Sequence, residues 1–269
     1  MIFETFKKYI ASGKMGFKTG IQYRFSFIVN MITTPLALFM YYFLWKSIYE
    51  YTGGGIIQGF AFESLIQYYV LSMIVGFFIW CDVDKWISND VRRGHIITMF
   101  TSPMSFLSQH LSFEIGINSL GIIIEMIPVF IMGFIFFGLE IAPLFNLIAF
   151  LISVILAFFL AFFVSFNVGL SAFWLNRIEG IRRIRRTMVY FLSGGMIPLS
   201  FFPGWIQYVS HFLPFEYIRY VPIKIYMADY STWGVLGQLG LQALWIMLLY
   251  FLSSVVYKQA FKQFTGAGV

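Results

Sequence analysis

The stretch I-A-P-L-F-N-L-I-A-F-L-I-S-V-I-L-A-F-F-L-A-F-F-V-S-F-N-V-G-L-S-A-F-W, Ile141 to Trp174, contains no charged residue and lies within a run of 36 uncharged residues between Glu140 and Arg177. Continuous apolar runs of about 18 residues or more read as membrane-spanning helices, whereas a membrane barrel shows segments of about ten residues that alternate apolar and polar. This run does not alternate, so it reads as helix in lipid. The rest of the chain agrees: of 269 residues 59% are apolar and only 11% charged, and the mean hydropathy is +0.80. A soluble domain carries about 25% charged residues and a disordered chain is polar, so both classes are excluded. The fold class expected is an all-α integral membrane protein, one transmembrane domain over residues 1–269. The single cysteine, Cys81, forms no intrachain disulfide, and no signal peptide core precedes the first apolar run.

Working outward, charges divide the chain. Arg24 to Lys46 brackets 21 uncharged residues, Glu63 to Asp82 brackets 18, Arg186 to Glu216 brackets 29 and Asp229 to Lys258 brackets 28. With a further apolar stretch interrupted by Glu114 and Glu125, six spans are expected, at about 25–48, 62–82, 110–137, 144–174, 187–203 and 236–257. If the N-terminus is cytoplasmic, 15 of the 18 Lys and Arg residues fall on the cytoplasmic side, and only Lys46, Arg219 and Lys224 fall outside. That bias sets both termini inside. It also accounts for the net charge of +6, so no nucleic acid is expected as partner.

Between the spans, residues 4–22 are amphipathic: Phe3, Phe6, Ile10, Phe17 and Ile21 alternate with Lys7, Lys8, Lys14 and Lys18. Such a segment lies on the membrane surface, with its lysines toward anionic lipid, or also meets a cytoplasmic partner. Its string S-G-K-M-G-F-K-T, residues 12–19, fails the phosphate-loop pattern, since Ser12 and Phe17 stand where glycines are required. No nucleotide-binding motif is found, so no ATPase activity is expected from this chain. The first inner loop ends in a short apolar helix before Pro103, which either packs on its own bundle or docks into another protein. In the second, Ile178, Ile181 and Ile184 share a helical face among Arg177, Arg182, Arg183, Arg185 and Arg186. This segment is either a lipid anchor or a second docking surface.

On the outer side, Pro198, Pro203 and Pro214 break the segment between spans 5 and 6, giving an expected partly inserted hairpin over 204–218, with Trp205, Tyr208, Tyr217, Tyr220, Tyr226, Tyr230 and Trp233 in the aromatic belt. Glu125, near the middle of span 3, is the candidate transport-path residue. Its alternative is structural glue to Ser165 or Asn167 on a neighbouring helix. Glu114 reads as structural. The scattered His95, His110 and His211 give no metal spacing, and no hydrolase motif occurs.

The strings N-D-V-R-R-G, residues 89–94, through Ser102-Pro103, and S-G-G-M-I-P-L-S-F-F-P-G-W, residues 193–205, with Leu213-Pro214-Phe215 and Pro222, resemble one branch of the type-2 permease subunits of ATP-binding-cassette (ABC) exporters. The resemblance covers nearly the whole chain. It implies a plasma-membrane subunit of a prokaryotic cell that pairs with a second permease, itself or a similar chain, above two ATP-binding-cassette subunits. Those partners would bind ATP and Mg, and this chain no cofactor. It implies an interface helix at 4–22 and a coupling helix at 94–104, with Arg92, Arg93, His95, Ile96, Ile97, Met99 and Phe100 meeting the ATPase. Arg177, Arg182 and Arg183 would form a second inner contact, and Pro198, Pro203, Trp205 and Pro214 an outer hairpin closing the exit. A hydrophobic or amphipathic cargo suits the Phe- and Tyr-rich composition. Two other readings stay open from the residues themselves: an ion- or proton-coupled secondary transporter with Glu125 in its site, and a non-transporting membrane scaffold.

Overall fold

A computed structural model describes residues 2–22, 24–100, 102–175 and 177–266. Among them the chain is helical, with α1 (Ile2–Gln22), α2 (Arg24–Tyr51), α3 (Phe62–Ile79), α4 (Val83–Arg93), α5 (Ile96–Phe100), α6 (Phe106–Gly121), a π-helical turn (Ile122–Met126), α7 (Ile127–Phe137), α8 (Leu144–Leu170), α9 (Glu179–Leu192), α10 (Gly204–His211), α11 (Tyr220–Tyr226) and α12 (Thr232–Gly266). Four helical segments among the described residues are long and apolar enough to cross a membrane: Phe62–Arg93, Phe106–Phe137, Leu144–Phe173 and Thr232–Lys262. They overlap the second, third, fourth and sixth expected spans, with Phe62–Arg93 running past the expected end at 82 through a break into α4. The first, α2, is one helix of 28 residues containing Pro35, about 42 Å long.

The fifth expected span, 187–203, is not one helix. The amphipathic α9 has 14 residues, about 21 Å, and ends at Leu192. The chain turns at Gly194, whose φ of +79° and crowding against the Tyr68 hydroxyl exclude a side chain. Pro198 then caps a short 3-10 turn, Leu199–Phe201, and Pro203 caps α10. Tyrosines of α3 satisfy backbone carbonyls that this break leaves free: Tyr68 donates to Gly194 O at 2.8 Å and Tyr69 to Met196 O at 3.3 Å. Trp45 of α2 donates to the Tyr69 hydroxyl at 3.0 Å, tying α2 into the same cluster.

The element whose sequence decides the fold is the centre of the bundle. α8 packs on α3, α4, α9, α11 and α12. It buries Ala157, Leu160, Phe162 and Phe166 completely or nearly so. Polar residues on it are used for interhelical hydrogen bonds rather than exposed to lipid. Ser153 donates to Gln242 of α12 at 2.9 Å, Asn167 donates to Ser253 of α12 at 2.9 Å, and Asn146 donates to Ile225 O of α11 at 2.9 Å.

α1 packs along α6. Gly13, Gly16 and Gly20 recur on one face of α1, where Gly116 of α6 abuts Gly13, Phe113 and Ile117 abut Gly16, and Leu120 abuts Gly20. A Cβ at Gly16 would collide with the Phe113 carbonyl, and one at Gly116 with the Gly13 carbonyl. Small residues permit this backbone approach. Ser12 donates to Gln109 O at 3.0 Å and Lys8 to Pro103 O at 2.6 Å along the same seam. The side chains of Phe3, Phe6 and Arg24 lie outside the described residues.

Candidate functional site

The site begins where α3 stops. Trp80, Cys81 and Asp82 break the helix before α4. α6 satisfies the backbone groups so released: Glu114 accepts from Asp82 N at 2.8 Å, and Asn118 donates to Trp80 O at 2.5 Å. Glu114 is therefore a backbone cap, in keeping with a structural role. From this break α4 runs to Gly94, whose φ of +73° closes the helix. The five residues of α5 follow directly.

Two aspartates at the head of α4 hold α9. Asp84, fully buried, receives Arg185 Nε at 2.8 Å and has Arg182 Nε at 3.3 Å. Asp82 receives Arg186 Nη2 at 2.7 Å, and Arg185 also donates to Cys81 O at 3.2 Å. The backbone N–H of Asp84 donates to Ser165 of α8 at 3.3 Å. A buried carboxylate is stable only when paired and hydrogen-bonded, and this one has both. Arg182, expected on a partner-facing surface, is thus turned inward to Asp84. Arg177 and Arg183 are exposed, and Arg92 lies 4.0 Å from Glu179.

The short loop helix divides its faces. Ile96 is fully buried in the protein's own core, so it does not belong to an outward docking face. His95 and Ile97 are exposed, as are Arg92 and Arg93, and Met99 is partly buried against the core. The side chain of Phe100 lies outside the described residues.

A cavity of about 520 Å³ opens between α2, α3, α6 and the α3–α4 break. Glu125 lines it from the π-helical turn. That turn has a local cause: Pro128 has no N–H and its ring would press on the Ile124 carbonyl, so the helix widens by one residue just before it. Neither expected partner reaches Glu125. Asn30 of α2 donates to it at 2.9 Å, while Ser165 serves Asp84 and Asn167 serves α12.

At the other end of the cavity stands Arg219, which the charge count had placed in an outer loop. Its flanking residues Tyr217 and Ile218 are anchored in the core, and its side chain crosses into the bundle. Nη1 donates to Ser72 O at 2.9 Å and to Ser72 Oγ at 3.0 Å, in the middle of α3. Gly76, one turn on, leaves room for the guanidinium: a Cβ there would lie 3.2 Å from Nη2. The Tyr190 ring lies 5.7 Å from the guanidinium carbon. No local pattern around Arg219 signals this position. The only trace in the sequence is a glycine, Gly76, within an otherwise bulky apolar span.

In the expected hairpin, Pro198 and Pro214 are buried, Pro203 is exposed, and Trp205 stands 70% exposed on α10. The belt reading separates into three sets. Trp205, Tyr208 and Trp233 are exposed, Tyr217 and Tyr226 are core residues, and Tyr220 and Tyr230 are partly buried against that core. His211 and Glu216 lie 2.9 Å apart at the base of the hairpin, where burial pushes the Glu216 carboxyl above its ordinary range and the His211 hydrogen bond partly offsets that.

Residues 36–268 match the family model described as ABC-2 family transporter protein. No curated protein and no solved structure matches the chain.

Proposed function

We propose a permease role from one premise: the chain belongs to the ABC-2 transporter family. It is the membrane-embedded subunit of an ATP-driven transporter and works with separate ATP-binding-cassette subunits. The family match over residues 36–268 carries this reading. Export of an amphipathic cargo, pairing with a second permease chain and cytoplasmic termini complete the proposal. The exposed apolar stripe of α2, which includes Ile32, Leu36, Met40 and Phe43, is supporting surface for a second permease or for lipid.

The geometry supports one route for the work. His95, in the turn after α4, and Ile97 of α5 project from the end of α4, and α4 is bound through Asp82 and Asp84 to α9. A push on α5 by a closing ATPase pair is thereby delivered to α9, whose Tyr190 lines the cavity. ATP drives such a switch only if it binds the two conformations with different affinity.

The test is purification of the chain from its native membrane in mild detergent, with partner identification by mass spectrometry and assay of Mg-ATP hydrolysis. The expected result is an ATP-binding-cassette subunit in stoichiometric amount and ATP turnover absent from the permease alone. A stable, homogeneous chain that retains no such subunit overturns the proposal.

A further inference from the structure

We infer that the cavity beneath Arg219 binds amphipathic anions, with the acidic head on the guanidinium and the apolar body along α3. The inference rests on the permease reading for its biological meaning and on the following geometry for its chemistry.

The guanidinium has five N–H donors. Nη1 is used on Ser72, while Nε is buried with no acceptor. No carboxylate forms an ion pair with Arg219 among the described residues, and each carboxylate that lines the cavity has a partner other than Arg219, with Oε2 of Glu114 left buried and unpaired. Glu125 holds Asn30, Glu114 caps the Asp82 backbone, and Asp82 holds Arg186. The cation is therefore left with spare donors and without a counter-charge, inside the protein and beside open volume. A carboxylate, phosphate or sulfonate group supplies what is missing, since a planar guanidinium forms charge-assisted hydrogen bonds with such oxygens.

The body of the ligand is set by α3. Met73, Phe77 and Trp80 follow at i, i+4 and i+7 and line the cavity from the Arg219 end to the helix break. The eight residue steps from Ser72 in α3 to Trp80 at its end span about 12 Å. A volume of about 520 Å³ suits a single acyl- or aryl-chain molecule rather than a bare ion. Gly76 keeps the head site open, because any side chain there would press on the guanidinium.

The chemistry is shared by two sources, a transported amphiphile and a resident anionic lipid, and the experiment separates them. The full chain is placed in phosphatidylcholine nanodiscs and titrated with 11-bromoundecyl phosphate, and the quenching that belongs to Trp80 is read as the difference from Trp80→Phe, because exposed tryptophans such as Trp205 and Trp233 are quenched by any brominated amphiphile in the bilayer. The control is 11-bromoundecyl-trimethylammonium, which has the same chain and the opposite charge. The expected result is quenching at about tenfold lower concentration for the phosphate, the loss of that preference in Arg219→Gln, and partial retention in Arg219→Lys. Equal quenching by both amphiphiles in the wild type overturns the inference and needs no variant. An unchanged preference in a folded Arg219→Gln overturns it as well. With the ATP-binding-cassette subunit added, phosphate-stimulated ATP turnover supports the site as a cargo pocket. Binding without stimulation upholds the anion site but overturns its assignment to transport.

Discussion

Gly116 carries a hydrogen where any side chain would strike the backbone of α1 at Gly13. Overfilling a packed contact costs about 1–3 kcal/mol when side chains can yield, and here the obstacle is a main-chain carbonyl. Gly116→Val is therefore expected to detach α1 from α6 and to lower the thermal unfolding midpoint in detergent by several degrees. Gly180 in α9 has nothing within 4 Å of its Cβ position, so Gly180→Ala should leave the midpoint unchanged or slightly raised. Equal effects of the two substitutions would show that the α1–α6 seam carries no stability. The seam leaves a mark in the sequence. Gly13, Gly16 and Gly20 lie within and just after a stretch that superficially looks like a phosphate loop, yet spacings of three and four residues put all three on one helical face. Glu125 shows the opposite limit. Its mid-span position was legible, but its partner, Asn30, lies 95 residues away, and no pattern in one sequence joins them.

At the scale of elements, α5 and its support separate two kinds of failure. Ile96 is fully buried and Ile97 is 52% exposed, although they are neighbours. Ile97→Asp should release the ATP-binding-cassette subunit while leaving the permease monodisperse with an unchanged midpoint. Ile96→Asp should destabilise the permease itself, because it buries a charge without a partner. Size-exclusion chromatography with and without the ATPase reads both. Retention of the partner by Ile97→Asp would remove α5 from the coupling role. The clasp behind α5 makes a second demand. Breaking a buried ion pair by removing one member costs about 3–5 kcal/mol, so Arg185→Ala should loosen α9 from α4. Its signature is an ATP turnover no longer sensitive to cargo, with the ATPase still bound. Composition foretold the basic helix but not which arginines are consumed internally. Ile178, Ile181 and Ile184 mark one face of α9, whereas the aspartates that select Arg182, Arg185 and Arg186 sit about 100 residues earlier, beyond the reach of any local period.

For the molecule as a whole, the contacts gather the basic segments at one end. Lys8 meets Pro103, Arg182, Arg185 and Arg186 meet the head of α4, and Arg92 approaches Glu179. The opposite end holds the Gly53–Gly55 turn and the tie from Tyr226 to Glu140 O at 2.9 Å. From this separation the positive-inside rule predicts one orientation, with the basic end cytoplasmic. The single cysteine makes the orientation directly measurable, because Cys81 is buried and should stay silent to thiol reagents in the folded protein. Ile56→Cys, on the far end and 76% exposed, should react with a membrane-impermeant maleimide in intact cells. Gly180→Cys, at the exposed start of α9, should react only after the membrane is opened. The reverse pattern would invert the protein. It would put α5 on the side without ATP, so the coupling role proposed for α5 would fail together with the orientation, while the cavity and its arginine would remain.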